Sequence, residues 1–217
     1  MKKKLRIVLA FSLISLTVLL QSCSSYEKQR DTSYLEEITI KELGEGFRSG
    51  KFTIKQVTED YLLRIENLDK NGPRLNSVIS VNPHALRIAE ELDRELAEGK
   101  DRGPLHGIPV ILKDNIDTKD SMPTTAGAVI LKNSYVGRDS KVAELLRGAG
   151  AVILAKSNLS EWANFRANLS SSGWSGVGGQ TRNPYITDRN PCGSSSGSGV
   201  AVSANLCAFA IGTETNG

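Results

Sequence analysis

The chain has 217 residues, 39% of them hydrophobic, and a formal net charge of +3. Four of its 27 basic residues precede Cys23 and none of its 24 acidic ones does, so 23 basic residues face 24 acidic ones beyond that point. The body is near neutral, so the basic balance of the whole chain comes from its first residues and is no evidence for nucleic-acid binding. The three cysteines and two histidines, without a CxxC spacing or a histidine cluster, give no metal signature.

Residues 1–22 join a basic start (Lys2, Lys3, Lys4, Arg6) to an apolar run from Ile7 to Leu20. That run is shorter than the roughly 20 residues a spanning helix needs and ends in small and polar residues, so it reads as a secretory signal. The ending Leu20-Gln21-Ser22-Cys23 is similar to a bacterial lipobox, although Gln21 departs from the usual small residue. The expectation is a lipid on Cys23, export across the inner membrane, and a membrane-anchored protein facing the periplasm or cell surface. Residues 23–33 are polar and form the expected tether, and residues 34–217 the domain.

From Ile38 the pattern turns helical. Thr53 and Gln56 have the spacing of a capping box, and Val57, Tyr61, Leu62, Ile65 and Leu68 follow on one helix face. Asn82-Pro83 predicts a second start, with Leu86, Ala89, Leu92 and Leu96 as its apolar stripe. Residues 108–112 (Ile-Pro-Val-Ile-Leu) read as a buried strand. Residues 139–149 read as a helix with Val142, Leu145 and Leu146 at helical spacing, stopped by Gly150. Residues 151–155 read as a second buried strand. Strand, helix and strand in succession imply an α/β fold with a mixed, largely parallel sheet core flanked by helices. A further helix is expected over 157–166. Cys192 and Cys207 sit among small residues and are expected as free, buried thiols.

Two places stand out chemically. Lys113 directly follows the first buried strand, in Leu112-Lys113-Asp114-Asn115. It is either a solvent-facing strand terminus or an amine in a partly desolvated site, where burial lowers the pKa enough for a neutral lysine to accept a proton. The other place is 192–217, CGSSSGSGVAVSANLCAFAIGTETNG. A flexible linker would not run directly into Val200, Ala201, Val202, Ala204 and Leu206, so the Gly/Ser run instead lets backbone and a buried helix approach closely. A histidine-based triad has only His84, on a packing helix, and His106, just before a glycine turn.

Together these residues resemble the amidase signature family of hydrolases. Gly107 to Val110 and Lys113-Asp114 match its Gly-Ile-Pro-Val strand and Lys-Asp. Cys192, Gly193, Ser194, Ser195, Ser196, Gly197 and Ser198 match its Gly/Ser loop, and residues 212–217 its Gly-Thr-Asp/Glu-x-x-Gly-Ser turn without the final serine. Asn183-Pro184-Tyr185 matches its Asn-Pro-Tyr turn. The resemblance implies a Ser-Ser-Lys triad working through an acyl-enzyme. In it, Lys113 is the general base and Ser194 the bridging serine, after a cis peptide bond. Thr215, Asn216 and Gly217 supply amides to an oxyanion hole. Ser196 and Thr213 support the shell, no metal or other cofactor takes part, and the nucleophile belongs immediately after Gly217. The implied chain is the N-terminal portion of an amidase domain, inactive alone, acting in full on a small-molecule amide or peptide-amide, with no nucleic-acid partner. Trp162, Trp174 and the segment 164–180 are candidates for the channel lining. The CGSSSGSG and GTETNG spellings lie nearer the peptide-amidase-like branch. A tRNA-dependent amidotransferase A subunit and a non-catalytic binding protein on the same fold are the alternatives.

Overall fold

The computed structural model of the chain describes residues 30–165 and 168–214. The expected leader, Cys23, Thr215, Asn216 and Gly217 lie outside the described residues. The chain divides into Met1–Asp31 and Thr32–Gly217. Only Arg30 and Asp31 of the first unit are described, and the helices and strands belong to the second.

Helix α1 (Ile40–Ser49) starts at Thr39, whose hydroxyl accepts the Glu42 amide at 3.1 Å while the Glu42 carboxylate accepts the Thr39 amide at 2.9 Å. This reciprocal capping box is the device expected one helix later. At α2 (Ile54–Arg64), Thr53 does accept the Gln56 amide at 3.0 Å. The Ile54 and Lys55 amides, however, donate to the Asp93 carboxylate at 2.7 and 2.9 Å. Asp93 belongs to α3 (Ala85–Ala97), so a carboxylate from a neighbouring helix satisfies the positive end of α2. Helix α3 begins after His84, not at Pro83 as expected. The Asn82 side chain accepts the His84 amide at 3.0 Å and donates to the Ile153 carbonyl at 2.8 Å, which commits it to a turn and to the sheet.

Four strands form the main sheet in the order β1 (Val78–Val81), β3 (Val152–Ser157), β2 (Pro109–Lys113) and β6 (Phe209–Ile211). Strand β2 runs parallel to both β3 and β6, and β1 is antiparallel to β3, so the sheet is mixed and largely parallel. Every residue of β2 and β3 is buried, which is why they read as continuous apolar runs without alternation. Helix α4 (Lys141–Gly148) crosses between them. Its inward residues are Ala143 and Leu146, while Leu145 is 60% exposed, so of the expected stripe Leu146 is buried and Val142 and Leu145 are not. Strand β1 lacks a strong sequence signal. Asp69 starts it by accepting the Ser77 amide and hydroxyl at 2.6 and 2.5 Å and the Val78 amide at 3.1 Å.

Successive β2 and β3 side chains enter two cores. Ile111, Val152 and Leu154 join Leu43, Ile54, Val57, Tyr61 and Leu92 from α1, α2 and α3. Val110, Leu112 and Ile153 join Ile116, Met122, Ala143 and Leu146 on the other face. Fully burying each such aliphatic side chain contributes about 1.5–3 kcal/mol.

The helix expected over 157–166 does not form. Strand β3 runs on to Ser157, and Trp162, Ala163 and Asn164 adopt left-handed φ values of 48°, 55° and 68°. A two-stranded hairpin, β4 (Trp174–Ser175) with β5 (Gly179–Gln180), follows. The small-residue stretch beyond Cys192 is divided between helix α5 (Ser196–Ser203) and strand β6.

Candidate active site

Lys113 is the last residue of β2, in register with Ser157 of β3. Pairing on both sides of β2 and the start of α5 above it leave the lysine 0% exposed, so the desolvated alternative is the one realised. Its Nζ lies 2.8 Å from Ser194 Oγ, 3.0 Å from Ser195 Oγ and 2.8 Å from Thr213 Oγ1. An ammonium has three protons and meets three hydroxyl oxygens. No carboxylate is among these partners, so burial prevails and the lysine pKa is drawn down to about 8, with Glu214 opposing the shift.

Several contacts hold the hydroxyls in place. The Gly193–Ser194 peptide bond is cis, and the Ser194 carbonyl accepts the Ser160 amide at 3.0 Å. Gly193 lies so close to Ser160 Oγ and Ser196 Oγ that a Cβ would overlap both. Ser196 Oγ donates to the Cys192 carbonyl at 2.6 Å and closes the loop on itself. Ser195 Oγ donates to the Thr213 carbonyl and accepts the Thr213 amide, both at 3.1 Å. Asn115 Nδ2 donates to Thr213 Oγ1 at 3.1 Å. Below this layer Ser198 Oγ donates to the Ile211 carbonyl at 3.1 Å, so Ser157 is the donor in its 2.8 Å bond with Ser198. Helix α5 is thereby joined to β3 and β6.

The neighbouring residue Asp114 is fully buried, and its Oδ2 accepts the Thr125 hydroxyl. Burial raises its pKa to about 6 against the opposing pull of Thr125 and the Lys156 cation. Lys156 on β3 donates to the Ile116 carbonyl at 2.6 Å and Thr124 Oγ1 at 3.0 Å. Burial lowers its pKa, and Asp114 works against that.

A cavity of about 430 Å³ opens over Ser194, Ser195, Thr213 and Glu214, with Tyr185 and Pro191 on its walls. The turn 183–185 thus borders the site. Trp162 and Trp174 do not line this cavity, and Trp162 is 50% exposed. His106 is buried, with Nε2 on the Leu92 carbonyl and Nδ1 accepting the Arg102 amide, and His84 pairs with Ser121. Neither histidine touches Lys113 or Ser194. Cys207 is buried as expected, but Cys192 is exposed, because its left-handed φ of 66° turns the loop outward before Gly193. Among the described residues no His/Cys/Asp/Glu group could hold a metal ion.

The structure therefore brings together Lys113, Ser194 and Thr213, with Ser196 closing the serine loop. Sequence reasoning placed Ser195 in the serine loop but chose Ser194 over it for a role, and it did not single out Asn115 or Ser160. The Lys-Asp-Asn string contained a hint of Asn115, but the reach of Ser160 across to the serine loop has no counterpart in sequence spacing.

Residues 56–217 match the family profile described as Amidase. The chain belongs to the amidase family. Peptide amidase from Stenotrophomonas maltophilia superposes with a TM-score of 0.80 at 53% identity, over 82% of this chain and 36% of that one. A Schizosaccharomyces pombe protein named as an amidase is 48% identical over 183 residues, 84% of this chain and 31% of its own length. The A subunit of the Acinetobacter baumannii glutamyl-tRNA(Gln) amidotransferase is 40% identical over 184 residues, 84% of this chain and 35% of its own. The chain spans about a third of the length of these amidase-family relatives. Its mixed sheet flanked by helices is the amidase fold seen in peptide amidase.

Proposed function

We propose that this chain carries the proton-handling half of an acyl-transfer site that hydrolyses carboxamide C–N bonds. The observation that supports this is a fully buried lysine whose polar side-chain partners are three hydroxyls, titrating near pH 8. A neutral amine can accept a proton and an ammonium cannot, and a general base works best with a pKa near the working pH. Lys113 takes the proton of Ser194, and Ser194 takes that of a serine nucleophile following Gly217. That oxygen bonds to the amide carbonyl carbon, the C–N bond breaks, and the proton returns through Ser194 to the departing amine. Water then cleaves the acyl ester. Thr215, Asn216 and Gly217 would give amides to the developing oxyanion. Peptide amides and small carboxamides are the proposed substrates, in keeping with the likeness to peptide amidase.

The test is ammonia release from C-terminally amidated peptides, using protein expressed with whatever its gene encodes after Gly217. Activity should rise with pH as Lys113 loses its proton near 8, and Lys113→Met should lower it by about 10²–10⁴-fold. A gene with no serine at that place, or a Lys113→Met enzyme as fast as the original, ends the acyl-transfer reading. The lipid anchor is a separate proposal, tested by whether the detergent-extracted protein begins at a diacylglyceryl-bearing Cys23. Among the described residues no helix is long and apolar enough to cross a membrane.

A further inference from the structure

A lysine that works as a base raises a problem of direction. With three protons, Lys113 gives one to each of Ser194, Ser195 and Thr213. After it loses one proton, its lone pair faces whichever hydroxyl can turn its own proton toward nitrogen. A pair formed with the wrong hydroxyl is unproductive.

Hydrogen-bond bookkeeping separates the three. A serine hydroxyl has one proton and two lone pairs. Ser195 donates its proton to the Thr213 carbonyl and fills one lone pair with the Thr213 amide. Its remaining lone pair faces Lys113, so Ser195 can only accept from the lysine. Thr213 Oγ1 accepts from both Lys113 and Asn115 Nδ2, which fills its lone pairs and leaves its proton to turn. Among the described residues Ser194 Oγ makes no side-chain bond but the one to Lys113, so its proton can turn as well. A second observation places Ser195 firmly: a Cβ on Gly212 would lie 2.7 Å from Ser195 Oγ and 2.9 Å from its Cβ. The serine side chain is packed directly against the turn that carries Thr213.

We propose that Ser195 is a positioning residue that accepts from Lys113 in both charge states, leaving the lone pair of the neutral amine to the two hydroxyls that can turn a proton toward it, Ser194 and Thr213, while it latches the 212–214 turn to the serine loop. Its hydroxyl does not move a proton. The proposal rests on Lys113 being the base, and on Glu214 being the charged group that acts on it. Asp114 and Lys156 act on each other.

The experiment is NMR titration of Lys113 through its 13Cε resonance in protein made with 13C-lysine, the resonance assigned by Lys113→Met. In the unmodified protein the midpoint is expected near 8. A midpoint at the ordinary value of about 10.4 refutes the base reading itself, and with it this proposal. In Ser195→Ala the ammonium loses one acceptor, so the midpoint should fall further, by about one pH unit. Ser195→Thr, which keeps the hydroxyl, should restore it. A midpoint near 8 that stays unchanged in Ser195→Ala, with only the melting temperature lowered, makes Ser195 structural alone and overturns the proposal while sparing the base. If Ser195→Ala does not fold, the Thr213 amide of the unmodified protein decides. Slow hydrogen exchange supports the latch, and exchange at the rate of an open amide overturns it.

Discussion

Gly197→Ala links the packing of α5 to the chemistry of Lys113. A Cβ at Gly197 would overlap the Ser77 carbonyl oxygen and lie 2.5 Å from Asn158 O and 2.6 Å from Asn158 N. All three are backbone atoms beside buried strands, so no rotamer change relieves the clash. Reaching ordinary contact requires α5 to withdraw by about 1 Å, which also stretches the 2.9 Å bond from the Gly197 amide to the Asn158 carbonyl. Overpacking of this kind costs about 1–3 kcal/mol and the lost hydrogen bond about 1 kcal/mol. Alanine's better helix propensity returns at most about 1 kcal/mol. The net loss of about 1–3 kcal/mol corresponds to a fall of about 2–12 °C in melting temperature for a domain of this size. The same withdrawal lifts Ser194 and Ser195 from hydrogen-bonding range of Lys113, so the lysine titration should change as well. Gly199→Ala is the control two residues along the same helix, because nothing lies within 4 Å of its added Cβ. It should hold or raise stability by up to about 1 kcal/mol. Circular-dichroism melts of the three proteins read both effects. A Gly197→Ala protein that melts with the parent would show that α5 is not seated on β3.

Asp114 binds its proton more tightly folded, near pH 6, than unfolded, so its contribution to stability is present in acid and lost as pH rises to about 6. With an unfolded value near 3.9, the difference amounts to about 3 kcal/mol. Asp114→Asn should remove this decline between pH 4 and 6 in urea titrations, and an unchanged slope would count against the burial argument. Exposed Cys192 should react with a thiol reagent in the native protein. Buried Cys207, its pKa pushed up to about 12, should react only after unfolding, as peptide mapping would show. Thr213→Asp would place a carboxylate beside Lys113 and should return its titration to about 10.4 or above. A midpoint still near 8 would mean that burial is not what holds it down.

How much was legible depended on whether a residue's partner was close in sequence. The β2 and β3 strands and the helix between them could be read, because double-sided burial requires unbroken apolar runs and Gly150 marks the stop. The meeting of Lys113 with the serine loop could be read through family resemblance alone. On its own residues Lys113 remained open between solvent and core, since what desolvates it comes from 80 to 100 positions away. The failures share that cause. Thr53 caps α2 as expected, but Asp93 from a different helix takes the Ile54 and Lys55 amides, Asp69 starts a strand with no alternating pattern, and left-handed turns replace the helix expected after Ser157. Val142, Leu145 and Leu146 had the spacing of a buried face, yet only Leu146 of the three is buried, beside small Ala143.

Two lysines on adjoining strands show how the partners of a buried amine set its environment. Leu112 pairs with Lys156 and Lys113 with Ser157, so alternation along the strands sends the two amines to opposite faces. Both are 0% exposed, and both pay the same kind of desolvation cost. Lys156 meets a carbonyl oxygen, a hydroxyl and the nearby charge of Asp114, and opposite charge restores part of what burial removes. Lys113 meets three hydroxyls, all of which can solvate an ammonium, while Ser195 has its own proton committed to the Thr213 carbonyl. Hydroxyl partners cost the site a full counter-charge and give it a group that changes charge state near neutral pH. The Gly/Ser loop is therefore more than a flexible approach to α5: a carboxylate at any of these three positions would hold the lysine charged, and only small hydroxyl residues on a tightly folded backbone can surround it this closely.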